Sequence, residues 1–133
     1  MGTVYTIKYT SSRTGHAPEQ VQQQVDQLLK EINQEMSTYI QDSEISLINQ
    51  NRSDDWIDLS PRLFKVVKAA KTVYLLSEGA FDVTVGPLVN LWGFGPDGNR
   101  VLPDEAQIEQ AKQAVGFEKI LLDEESQRMK KTR

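Results

Sequence analysis

A chain of 133 residues has the prior of a single domain, long enough to bury roughly two-thirds of its unfolded surface. Its net charge of −4 gives no general attraction to nucleic acid or to an anionic membrane, so no nucleic-acid partner is expected. With no cysteine, disulfides, thiolate metal sites and thiol nucleophiles are excluded; no apolar run approaches the roughly 18 residues of a membrane span, and no signal peptide precedes Met1.

Thr3 to Tyr9 alternates, with Tyr5, Ile7 and Tyr9 on one face, and predicts a half-buried strand. Thr10 to Pro18 reads as a polar loop carrying the only histidine, His16, to which no metal role is assigned. Pro18 suits the first turn of a helix running to about Ser37. Val21, Val25, Leu28, Leu29, Ile32 and Met36 recur on one stripe of it, opposite a face of Gln, Glu, Asp and Lys. Its end delivers Tyr39 into a loop, where the ring can stack or the hydroxyl can bond. Asp42 or Ser43 caps a short helix through Ile48, and Asn49 to Asp55 reads as loop. Asn51-Arg52-Ser53 matches a glycosylation acceptor, a three-residue pattern common by chance.

Trp56, Ile57 and Leu59 suggest a short strand around Asp58. Ser60-Pro61 then starts a helix to about Ser77, with Gly79 as its expected stop. Pro103 and Asp104 start another amphipathic helix, with Ile108, Ala111 and Val115 inward and Gly116 as terminator. Lys119 to Asp123 reads as a strand, Asp123 to Ser126 as a turn, and Gln127 to Arg133 as a returning strand whose Arg128, Lys130, Lys131 and Arg133 form an exposed edge.

Between the last two long helices, Gly79 to Gly98 holds five of the chain's eight glycines, with Phe81, Leu88, Leu91, Trp92 and Phe94 among them. Such a stretch is either a packed turn region or a ligand-lining loop. Gly93-Phe94-Gly95-Pro96-Asp97-Gly98 matches Gly-x-Gly-x-x-Gly, but the dinucleotide fingerprint needs a strand before it and a helix directly after it. Here Leu88 to Trp92, read as a helical turn, precedes it. No phosphate-binding loop, nucleophile elbow or zinc-protease helix is present. Asp82 is the one acid set among apolar neighbours, opening a strand-like run, and a carboxylate there must find donors, with the Gly86-Pro87 turn amides as local candidates.

Three segments carry a resemblance. Met1-Gly2-Thr3, Met36-Ser37-Thr38-Tyr39 with Asp42-Ser43-Glu44-Ile45-Ser46 and Asn49, and above all Gly79-Ala80-Phe81-Asp82 running into Val85-Gly86-Pro87-Leu88-Val89-Asn90-Leu91-Trp92-Gly93-Phe94-Gly95 resemble the FAD:protein FMN transferases, the ApbE-type flavin transferases. The resemblance covers essentially the whole chain. It implies that FAD is split at its pyrophosphate with Mg2+ and that FMN is attached through phosphate to a serine or threonine of an acceptor flavoprotein subunit. Met1, Tyr39, Ala80, Phe81 and Asp82 would contact FAD.

The same resemblance places no catalytic residue and no metal ligand here. Residues 1–133 are expected to be a single N-terminal portion forming one wall of the FAD site, inactive alone, with the metal-binding half absent. It also implies a lipoprotein on the extracytoplasmic face of the cell envelope, held to the membrane only through a missing lipid anchor. The expected fold is α+β, with helices packed on a small, mainly antiparallel sheet. Two alternatives stand beside the transferase: an FAD pyrophosphatase giving FMN and AMP, and a non-catalytic flavin-binding module. Tyr39 favours the transferase.

Overall fold

The computed structural model describes residues 4–8, 15, 17–95 and 102–132, and these divide into two compact units, Met1–Asn49 and Gln50–Arg133. Tyr9, His16 and the latter half of the Gly-x-Gly-x-x-Gly match lie outside the described residues.

In the first unit, helix α1 runs Pro18–Met36. Proline supplies its first turn, and the Gln20 side chain reaches back to accept from the Ala17 amide at 3.3 Å. Val21, Val25, Leu29, Ile32 and Met36 are half-buried along one stripe, whereas Leu28 falls to the solvent side. The strand expected at 3–9 is not formed over residues 4–8, which pair with no other strand. Alternation gives a segment two faces, but a ladder needs a second backbone beside it. The face itself was legible: Tyr5 and Ile7 lie with Val21 and Val25 around one cleft, and the Tyr5 hydroxyl donates to Asp26.

Helix α2 is Glu44–Gln50, two residues longer than the expected loop boundary allows. Ser43, not Asp42, is the capping residue: its oxygen accepts from the Ser46 amide at 3.2 Å.

The second unit contains strand β1 (Ile57–Asp58), helices α3 (Pro61–Leu76), α4 (Gly86–Leu91) and α5 (Glu105–Lys112), and strands β2 (Ile120–Asp123) and β3 (Arg128–Lys131). The sheet is antiparallel in the order β1-β3-β2, so β3 is central and not the exposed edge that its charges suggest. Its register explains why. Met129 is placed between Ile57 and Leu122 and is buried, while Arg128 is placed between Asp58 and Asp123. The cations are held rather than shed to solvent. Arg128 donates to Asp123 Oδ2 at 2.7 Å and lies 5.5 Å from the centre of the Trp56 ring, and Lys131 donates to the Asn51 carbonyl. Arg128 in turn holds the Asp123 carboxyl below the usual carboxylate range.

Helix α3 starts where Ser60-Pro61 places it, with the Ser60 oxygen accepting from the Leu63 amide at 3.4 Å. Leu59, Leu63, Phe64, Ala70, Phe117 and Met129 are the buried apolar residues of this unit. The stop of α3 differs from expectation. The Gly79 amide reaches the Tyr74 carbonyl and the Glu78 amide the Leu75 carbonyl, a double-bonded helix end in which both Glu78 (φ 52°) and the expected Gly79 (φ 83°) have positive φ, so the turn begins one position before the glycine. Helix α4 ends in the same way, with Gly93 (φ 71°) in that place and Phe94 bonding back to Val89.

Helix α5 opens on a reciprocal cap between Asp104 and Gln107 and ends at Lys112, four residues before its expected terminator. Gly116 (φ 130°) instead turns the chain into a single 3₁₀ turn, Phe117–Lys119, that leads directly to β2. The α+β reading holds: five helices accompany a small three-stranded antiparallel sheet among the described residues.

Candidate functional site

Tyr39 belongs to the first unit, in the turn between α1 and α2, and is 75% exposed. That turn is built by serines. The Ser43 hydroxyl, completely buried, donates to the Ser37 carbonyl at 2.6 Å, and the Ser46 hydroxyl lies 2.9 Å from it. Gln34 Nε2 adds a bond to the Asp42 carbonyl at 2.9 Å. A buried hydroxyl keeps such bonds because leaving them unmade costs more than the bonds themselves contribute. The aromatic ring is therefore presented from a fixed turn. Tyr39 lines neither cleft of this unit, one of about 350 Å³ over α1 and one of about 440 Å³ lined by Tyr5, Asp26 and Lys30 among others.

Ala80, Phe81 and Asp82 are consecutive on the second unit, between the end of α3 and α4, and they rest on Tyr74 and Ser77. The Tyr74 ring passes under Gly79, where an added Cβ would meet it at 3.6 Å. Ser77 Oγ accepts from the Phe81 amide at 3.0 Å, and the Ser77 carbonyl accepts from the Ala80 amide at 3.0 Å. Tyr74 is itself fixed twice: its ring is tilted against Phe117 at 5.7 Å, and its hydroxyl donates to Glu118 Oε2 at 2.8 Å. This bond raises the Tyr74 hydroxyl above its ordinary pKa, with burial and the charges of Glu118 and Asp82 adding to it. Glu118 is lowered, first by its own backbone amide and then by the Tyr74 hydroxyl.

Phe81 is left 44% exposed, an aromatic face on a turn that is bonded from beneath. Asp82 is half-buried and does not open a strand. It caps a 3₁₀ turn, Val83–Val85, with Oδ1 accepting from the Thr84 amide at 2.8 Å and the Thr84 hydroxyl at 2.7 Å. The donors expected from the Gly86-Pro87 turn are replaced by Thr84, because those residues already begin α4. Thr84 was not singled out by the sequence, although an aspartate two residues before a threonine is an ordinary capping pattern. Tyr74 and Glu118, 44 positions apart, carry no local signal that would pair them.

Gly93 and Gly95 have structural roles. Gly93 closes α4, and the Asn90 side chain occupies the space a Cβ on Gly95 would need, at 1.8 Å. A helix precedes Gly93, so the match lacks the strand that the dinucleotide fingerprint requires before it. Met1 lies outside the described residues. Among the described residues no three acidic or histidine side chains converge. No described helix is long and apolar enough to cross a membrane.

The ApbE family model covers residues 1–133. The FAD:protein FMN transferase of Vibrio cholerae is 42% identical over 124 residues, 92% of this chain and 37% of its own length. That of Haemophilus influenzae is 41% identical over 126 residues, 92% of this chain and 36% of its own. Among solved structures, the flavin transferase ApbE of Vibrio cholerae superposes with a TM-score of 0.83 at 39% identity, over 87% of this chain and 37% of that one. The Pseudomonas stutzeri flavinyl transferase ApbE, in its apo form, gives 0.84 at 30% identity, over 91% and 40%. The chain belongs to the ApbE family, and it spans little more than a third of the length of these relatives.

Proposed function

We propose that the complete protein transfers FMN from FAD to an acceptor protein, and that this chain supplies one wall of the FAD site. The observation that carries the reading is the 42% identity to a relative named FAD:protein FMN transferase. Phe81 offers its exposed ring to the flavin or adenine, and Asp82 accepts from a ring N–H or a ribose hydroxyl; that Tyr39 also contacts FAD is proposed from the resemblance alone. Ala80 is proposed as an FAD contact from the resemblance alone.

The finer features are proposals of the resemblance. The acceptor is a serine or threonine of a flavoprotein subunit: its hydroxyl oxygen bonds to the FMN phosphorus, its proton leaves, and AMP departs. Magnesium dependence, with ligands outside this chain, is proposed from the resemblance alone. An envelope location as a lipid-anchored protein rests on the resemblance alone. In the absence of other residues, the 133-residue chain is expected to form no covalent flavin adduct.

AMP release from FAD and magnesium, with and without acceptor protein, tests the reading. A transferase releases little AMP until acceptor is added. Steady release that ignores the acceptor identifies a pyrophosphatase, and binding without release identifies a flavin-binding module; either result overturns the proposal.

A further inference from the structure

Asp82 is held by more than a cap. Thr84 Oγ1 accepts from the Gly116 amide at 2.7 Å, across 32 positions of sequence. That bond fixes where the single hydroxyl proton goes, and it goes to Asp82 Oδ1 at 2.7 Å. The Thr84 amide reaches the same oxygen at 2.8 Å. Both donors thus converge on Oδ1, and among the described residues no donor reaches Oδ2. The carboxylate is left in one rotamer with one oxygen taken and one presented.

We propose that Thr84 is a positioning residue for FAD binding, acting through Asp82, with the Gly116 amide as its anchor. The inference rests on the reading of Ala80-Phe81-Asp82 as part of the FAD site. An ordinary cap needs only the Thr84 N–H, which any residue supplies. The hydroxyl link adds something a cap does not require: it ties the orientation of Asp82 to the connection between α5 and β2. The available Oδ2 suits an N–H or O–H donor, which on FAD means the imide of the isoalloxazine ring or a hydroxyl of the ribityl or ribose unit. Gly116 suits the anchor position because its φ of 130° is one that side chains rarely adopt.

The test is an FAD titration of the complete protein, followed by flavin fluorescence, with the melting midpoint of each ligand-free form. Parent, Thr84→Val, Thr84→Ala, Thr84→Ser, Asp82→Asn and the Asp82→Asn/Thr84→Val pair are compared. Removing the hydroxyl by either route is expected to weaken FAD about tenfold, the size of one charge-assisted hydrogen bond, while Thr84→Ser restores most of the affinity. In the Asp82→Asn background Thr84→Val should add less than about twofold, because that substitution replaces the presented acceptor oxygen by an N–H donor, whose orientation no longer gains a bond to a donor on FAD. Unchanged affinity in both hydroxyl deletions overturns the positioning role. So does an equal loss in both backgrounds, which makes Thr84 a residue of the fold alone. A parent that binds no FAD overturns the reading of the site itself and the positioning role with it.

Discussion

Replacing Gly116 by alanine perturbs the point where the α5–β2 connection meets the Asp82 turn. Its φ of 130° with ψ of 119° is a region that side chains avoid, and holding alanine there costs about 1–3 kcal/mol. The new Cβ would also stand 2.1 Å from Glu118 Oε1, so the carboxylate has to swing away and release the Tyr74 hydroxyl. Glu118 is solvent-exposed, and the backbone term is therefore the larger one. At about 4 °C of midpoint per kcal/mol for a domain of this size, the expected fall is roughly 4–12 °C. Thermal melts of Gly116→Ala, Glu118→Ala and the double variant separate the causes. If strain dominates, Gly116→Ala lowers the midpoint almost as much in the Glu118→Ala background as in the parent. A Gly116→Ala melt indistinguishable from the parent's refutes the reasoning.

Glu78→Gly should stabilise the chain by about 1 kcal/mol, because a left-handed φ of 52° is strained for glutamate and free for glycine; a lowered urea midpoint contradicts this. Ser43→Ala should cost about 1–2 kcal/mol in the same assay, since the fully buried hydroxyl caps α2 and holds the Ser37 carbonyl. The Tyr74–Glu118 pair predicts a two-sided pH dependence. Glu118 is lowered, so its contribution is complete above the ordinary glutamate pKa of about 4.3 and is lost as pH falls through its folded value. Tyr74 is raised, so its contribution is complete below about 10 and is lost as pH rises through its folded value. Urea midpoints across pH should show Tyr74→Phe reducing the alkaline loss, with the Tyr5–Asp26 bond accounting for the remainder, and reducing, without abolishing, the acid one, because the Glu118 backbone amide remains.

Helices were legible wherever periodicity and a cap coincided. Pro18, Ser60-Pro61 and Asp104 begin α1, α3 and α5 as their residue types require. The short strands around Asp58 and from residue 120 were also legible, but the order of the sheet was not. Arg128, Lys130 and Lys131 read as an edge because charge usually marks one, and only the distant Trp56 and Asn51, with Asp123 across the hairpin, show how a central strand can carry Arg128 and Lys131. The strand expected at 3–9 failed for a related reason: alternation specifies a face, and pairing depends on a second segment that a local window cannot supply. At the candidate site, Phe81 and Asp82 could be chosen from composition and resemblance. Their supports could not, since the Tyr74–Glu118 and Thr84–Gly116 bonds join positions with no common periodicity.

Covalent flavin transfer is the central claim, and the acceptor is where it is read most directly. The complete protein is incubated with FAD, magnesium and an acceptor flavoprotein subunit, and the acceptor is then examined by intact mass and by in-gel fluorescence after denaturation. The account predicts a fluorescent band and a mass gain of one FMN less one water on the acceptor, dependent on FAD. An acceptor of unchanged mass, while FAD is consumed to free FMN and AMP, contradicts it.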